Sequence, residues 1–173
     1  WKNEIGEGKS LKFPAGIAAK GNPGVAGIVV ETEGSIGYIG SEFALALNMS
    51  TAMLQNSSGN FVAADSKSIS ASANVDIPAD TRVVITNSPN PEAYPISTFT
   101  WIIAYKEQAY NNRSEAQAQS LKGLLNYIIS SQGQDIATKT HYAPLPAVAA
   151  EKTKALIESM TFNGQPITVN TQQ

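Results

Sequence analysis

The most regular pattern of apolar positions is Ala118, Leu121, Leu125 and Ile128, spaced by 3, 4 and 3 residues, with Leu124 widening the face. That period predicts an amphipathic helix over Ser114–Ser131. Ser114 and Gln117 form a capping-box pair at its start, and Gly133 marks its end. A short helix is expected over Gln134–Thr140, stopped by Pro144-Leu145-Pro146. A last helix, Ala147–Met160, should bury Leu156 and Met160, and Phe162-Asn163-Gly164-Gln165 then turns into a short final strand.

The N-terminal part is more broken. Gly6, Gly8, Pro14 and Gly16 punctuate a strand candidate at Ser10–Phe13. Asn22-Pro23 reads as a helix start, with Asn accepting from orphan amides and Pro at the first helical position. The helix should run from Pro23 to Thr32 and stop at Gly34. Ser35–Ile39 follows as a buried strand, and Ser41–Leu47 as a helix ending at Asn48. Met53–Gln55 and Phe61–Ala63 flank Ser58-Gly59-Asn60, which predicts a hairpin. Asp65–Ser72 is a Ser-rich helix, and Thr81–Thr86 a strand. The strongest break is Asn87-Ser88-Pro89-Asn90-Pro91, and a boundary is expected at residues 87–92. Beyond it, Ile96–Tyr105 is β-rich and should be a core strand. No internal repeat occurs; helices alternate with strands, which argues an α/β fold.

Composition narrows the function. The 173 residues are 42% hydrophobic and 15% charged, enough to bury a core. With 12 Lys and Arg against 14 Asp and Glu, net charge is −2 and pI near 5.4, so bulk charge attracts neither nucleic acid nor an anionic membrane. No apolar run approaches the roughly 18 residues that span a bilayer. Trp1-Lys2-Asn3-Glu4 carries neither an initiator Met nor a basic or apolar leader, as expected of a processed or excised chain.

Candidate chemistry is sparse. There is no Cys, so thiolate catalysis, disulfides and Cys-based metal sites are excluded. His141 is the sole His; it has no carboxylate at ligand spacing and no Gly-x-Ser-x-Gly elbow to serve. Glu31 and Glu33 flank a helix end and should be solvated. No metal or cofactor is implied. The aromatic set Tyr94, Phe99, Trp101 and Tyr105 lacks the interleaved cations of a stacking platform and reads as core. Arg82 and Arg113 are the only arginines, and each reads as solvated surface more readily than as an oxyanion clamp. The remaining anion candidates are Gly21, Asn22 and Gly24, because Gly before a helix start can offer backbone amides to an anion. The segment is not a nucleotide loop, since Gly-x-x-x-x-Gly-Lys-Ser/Thr is missing. Its alternative is a tight turn that lets a helix pack on a sheet.

Taken together, the segments carry more. Lys12-Phe13-Pro14-Ala15-Gly16, Lys20-Gly21-Asn22-Pro23-Gly24-Val25-Ala26-Gly27, Gly34-Ser35-Ile36-Gly37-Tyr38-Ile39, Ala93-Tyr94-Pro95-Ile96 with Phe99-Thr100-Trp101, and Tyr142-Ala143-Pro144-Leu145-Pro146 follow one another in this order. The ordered set resembles the C-terminal half of the periplasmic phosphate-binding proteins of the phosphate-specific ABC transporter. That resemblance implies a two-lobed periplasmic-binding-protein-like fold of type II. Residues 1–90 would be the remainder of lobe two plus a crossing segment, and 91–173 the C-terminal part of lobe one. It implies inorganic phosphate as ligand and ABC permease membrane subunits as partner. The expected location is the periplasm or the extracytoplasmic membrane face, with lipid anchoring through preceding residues left open.

The resemblance also places the family's ligand Arg and its Ser-Gly-Thr anion loop ahead of the position matching Trp1. No phosphate ligand is therefore carried over to this chain, and weak or absent phosphate binding is expected of it alone. One departure is Gly40-Ser41-Glu42, where the family often has Glu directly after the position of Ile39. Sheet edges left without partners would have to be covered, and pairing or swapping between copies in a homo-oligomer is one physical route. An α/β enzyme or interaction module on the same scaffold is the alternative reading.

Overall fold

The structure, a computed structural model, describes residues 3–8 and 11–169. The chain divides between Met49 and Ser50 into two compact units.

In the first unit, helix α1 (Gly21–Glu31) is followed by a turn and helix α2 (Ser41–Ala46). The turn is held by the Ser35 hydroxyl, which donates to the Thr32 carbonyl at 2.7 Å. Gly34 takes the expected left-handed conformation with φ 74°, and Asn48, at φ 50°, ends α2 as expected. The predicted start of α1 needs correction. The helix begins at Gly21, not Pro23, and its N-cap is Lys20 with no side-chain cap. Gly21 has φ 66°, a conformation only Gly adopts freely, so the chain enters the helix two residues earlier than Asn-Pro suggests. Residues 35–39 form no strand among the described residues, and with Ile36 97% and Tyr38 81% exposed the segment is not the buried strand expected. Gly37 lies against α1; a Cβ there would sit 2.8 Å from both Val25 and Val29 methyls. Of the strand candidate Ser10–Phe13, Ser10 lies outside the described residues and 11–13 form no strand.

The second unit opens with the expected hairpin, β1 (Leu54–Gln55) and β2 (Phe61–Val62), in register Leu54↔Val62. Its turn is fastened by Asn56, 6% exposed. The Asn56 amide donates to the Pro91 and Ala93 carbonyls (2.9 and 3.2 Å), and its Oδ1 accepts from the Ser58 and Asn60 amides (3.1 Å each). Helix α3 (Ser66–Ser72) starts on a capping box between Asp65 and Ser68. Ser68 and Ser72 point inward: the Ser72 hydroxyl is fully buried against the Ser68 and Tyr94 carbonyls and the Ser97 hydroxyl. The Asn87–Pro91 break is a loop inside this second unit, with the Asn87 amide donating to the Pro95 carbonyl at 2.6 Å.

Helices α4 (Glu115–Ile129), α5 (Ser131–Lys139) and α6 (Ala147–Glu158) follow, closed by a hairpin of β3 (Thr161–Phe162) and β4 (Gln165–Pro166). The Ser114–Gln117 capping box is present. Asn163 and Gly164, at φ 50° and 75°, form the two-residue turn that Asn-Gly favours. Ala118, Leu125, Ile157, Met160 and Ile167 form the core, with Leu121, Ile129 and Phe162 against it. Two helical phases differ from expectation. Leu124 is 55% exposed, while Lys122 is buried because its ammonium reaches Glu158 and the Ile167 carbonyl, both at 2.8 Å. In α6 the buried residues are Ala149 and Ile157, and Leu156 is 40% exposed. Gly133 does not end α4. Ser130 separates the two helices and caps α5, and Gly133 sits in the first turn of α5, where a Cβ would strike the Tyr127 and Ile128 carbonyls.

The strands expected at Thr81–Thr86 and Ile96–Tyr105 form no ladder among the described residues, and Thr81 takes a left-handed φ of 59°. A β-strand is completed by its neighbours, and local propensity cannot supply one.

Candidate functional site

The uncapped start of α1 is the one place where predicted site residues stand together. The amides of Gly21, Asn22 and Gly24 fall in the first turn, where intrahelical acceptors are missing, and Pro23 among them has no amide to satisfy. No acidic side chain occupies that turn, and Lys20 precedes it. Gly21 is exposed, and Asn22 and Gly24 are half-buried. A Cβ at Gly24 would meet Ala19 at 3.4 Å, so this Gly also serves close packing of the entering chain. Chemically the turn offers partial positive charge and backbone donors on a wet surface.

Neither arginine makes a free clamp. Arg82 is exposed and paired with Asp80 at 2.7 Å, which holds the Asp80 carboxyl below its usual range. Arg113 donates through Nη1 to the Tyr110 hydroxyl at 2.7 Å, and its guanidinium lies over the Tyr110 ring. His141 ends α5 in a left-handed conformation with its amide bonded to the Thr138 carbonyl. Glu31 and Glu33 are exposed as expected. Among the described residues no group of three or more His, Cys, Asp or Glu could hold a metal. No helix among them is long and apolar enough to cross a membrane. At the departure Gly40-Ser41-Glu42, the Glu42 carboxylate folds back over Gly40, into the space that a side chain there would need.

The best-built polar constellation is one that sequence reasoning missed. The Glu107 carboxylate accepts from the Ala109 amide and the Thr161 hydroxyl (2.8 Å each), and from the Asn163 and Gly164 amides (3.0 Å each). Those donors push its pKa down to about 2. It clamps the β3–β4 turn to the segment that pairs with Thr161. Only the Asn-Gly turn was legible in the sequence; a partner more than fifty residues away carries no local signal. The aromatic reading also changes. Phe99 and Trp101 meet edge to face at 5.9 Å, but Trp101 is 46% and Tyr105 69% exposed, so this run is not core here.

The described residues thus hold an α/β chain in two compact units, with an open helix start and no assembled catalytic or metal cluster. A family model for the PBP superfamily domain matches residues 3–132, and the chain belongs to that family, with its periplasmic-binding-protein-like fold. Among curated proteins, it is 36% identical over 149 residues to the phosphate-binding protein PstS of Xylella fastidiosa (strain 9a5c), a match covering 84% of this chain and 40% of that protein. The PstS of Haemophilus influenzae is 35% identical over 152 residues, covering 85% and 43%. That of the archaeon Methanocaldococcus jannaschii is 27% identical over 165 residues, covering 87% and 42%. The chain therefore spans well under half the length of these relatives.

Proposed function

We propose that this chain is part of a solute-binding protein that captures inorganic phosphate outside the cytoplasmic membrane and delivers it to the membrane subunits of an ABC permease. The observation that carries this reading is the similarity along 84–85% of the chain to proteins named for phosphate binding. It is a binding role without turnover: the single His and the missing Cys leave no nucleophile–base pair to propose. The lobe boundary of the complete protein belongs to the same proposal. The punctuation at residues 87–92 suggests one position, and the parting of the compact units at Met49–Ser50 favours an earlier one.

By itself the chain should not hold phosphate. A buried anion must exchange hydration for several aimed donors, and an uncompensated buried charge costs several kcal/mol. The donors here are three amides at an exposed helix start, with Arg82 and Arg113 engaged elsewhere. Isothermal titration with inorganic phosphate tests both statements. The complete protein should bind at micromolar concentration or tighter, and this chain should give no measurable heat. Tight binding by the chain alone, lost when Gly24 is replaced by Ala, would place a site at the start of α1. Phosphoester turnover that disappears in His141→Ala would overturn the non-enzymatic reading.

A further inference from the structure

Asn163 is the only Asn of the chain that is followed by Gly. Gly puts no side chain in the way of the Asn carboxamide, so such a pair can close a five-membered ring. The Gly164 nitrogen gives its proton to solvent hydroxide and bonds to Cγ of Asn163. The carboxamide C–N bond breaks, and the leaving nitrogen takes a proton from water and departs as ammonia. Water then opens the succinimide at either carbonyl, giving aspartate, or isoaspartate with the main chain rerouted through the side chain. Both residues are exposed, and nothing beyond the chain neighbours lies within 4 Å of where a Gly164 side chain would begin. The Asn163 carboxamide makes no hydrogen bond among the described residues. On access alone the pair should react quickly.

The nucleophile, however, is held. The Gly164 amide donates to Glu107 Oε2 and the Asn163 amide to Oε1 (3.0 Å each), so one carboxylate bridges two successive amides of the turn. The backbone fixes Glu107 there: the Gln108 amide donates to the Thr161 carbonyl at 2.8 Å, and the Thr161 amide to the Lys106 carbonyl at 2.9 Å. An amide that donates to a carboxylate loses its proton reluctantly, because the resulting anion would face a like charge. Its nitrogen must also leave that bond to reach Cγ. We propose that Asn163-Gly164 is a latent deamidation site, kept unreacted in the folded protein by the Glu107 carboxylate and opened when the β3–β4 turn comes away from it. Reaction would then keep the turn open. Either product adds a negative charge to the turn that Glu107 binds, and isoaspartate lengthens the main chain between the two bridged amides.

The test incubates this chain and the complete protein at mildly alkaline pH, folded and in guanidinium chloride. Peptide mass spectrometry follows the one-dalton gain at residue 163, and isoaspartyl methyltransferase labelling follows the isoaspartate. Deamidation at Asn163 should be slower in the folded state by about tenfold or more, the scale of a hydrogen bond to a charged group. Glu107→Gln keeps the shape and removes the charge, and should bring the folded rate most of the way to the unfolded one. Asn56-Ser57 is the control for general opening, because Asn56 is 6% exposed and bonded through both ends of its carboxamide. It should stay slow in Glu107→Gln. The proposal is overturned if the folded and unfolded rates at Asn163 are equal, or if Glu107→Gln leaves the folded rate unchanged. It is equally overturned if Asn56 accelerates in step with Asn163, which makes loss of the fold the cause. Asn163→Asp, the stand-in for the product, should lower the melting temperature of the native protein clearly and that of Glu107→Gln much less. Equal losses in both backgrounds would sink the claim that the product acts through Glu107.

Discussion

Glu107 is exposed, and its carboxylate is nonetheless held by four donors in a geometry that depends on its charge. Its folded-state pKa of about 2 lies below the ordinary 4.5, so the ionised form favours folding. The contribution is complete above about pH 4.5 and is lost as pH falls from there toward 2. Thermal melts between these limits should fall more steeply for the native chain than for Glu107→Gln, which has no charge to lose. Parallel curves would remove Glu107 from the acid response. Gly37 makes a different demand, for space. Its would-be Cβ meets two β-branched side chains, Val25 and Val29, whose rotamers are stiff on a helix. Gly37→Ala should cost about 1–3 kcal/mol by overpacking, measured by denaturant unfolding. An unchanged midpoint would mean that α1 moves away freely.

At the scale of elements, α4 illustrates how far a periodic pattern reaches. Leu125 lies in the core as the pattern predicts, and Leu125→Ala should cost about 2–5 kcal/mol. In α6 the same reasoning selected Leu156, which is 40% exposed, so Leu156→Ala should change stability by less than about 1 kcal/mol. Comparing the two midpoints checks the phase; equal losses would show that the Leu156 side of α6 is packed. In α4 the pattern errs only at its margin, where Leu124 is exposed and Lys122 is buried. A long cation at an apolar position reads as surface, yet it is buried with Glu158 and the Ile167 carbonyl as partners. Gly133 likewise reads as a helix stop, but its role is to let the first turn of α5 approach the carbonyls that end α4.

For the whole molecule, the proposed function means that binding and stability should be linked only in the complete protein. A ligand that binds the folded state raises the melting temperature with concentration. Inorganic phosphate should therefore stabilise the complete protein progressively and leave this chain's melting temperature where it was. A concentration-dependent rise in this chain would mean that it holds a site of its own.

Local signals by themselves determined most of the helices, the Ser114–Gln117 cap, the Gly59 and Asn163-Gly164 turns, and the family through an ordered set of short motifs. Each of these depends on residues within a few positions of one another, or on their order. Tertiary structure decided what depends on distant partners. It placed Glu107 on a turn more than fifty residues away, buried Lys122, and left residues 35–39, 81–86 and 96–105 without a ladder among the described residues. β-propensity can extend a segment, but its sheet exists only where another strand supplies the opposing amides and carbonyls.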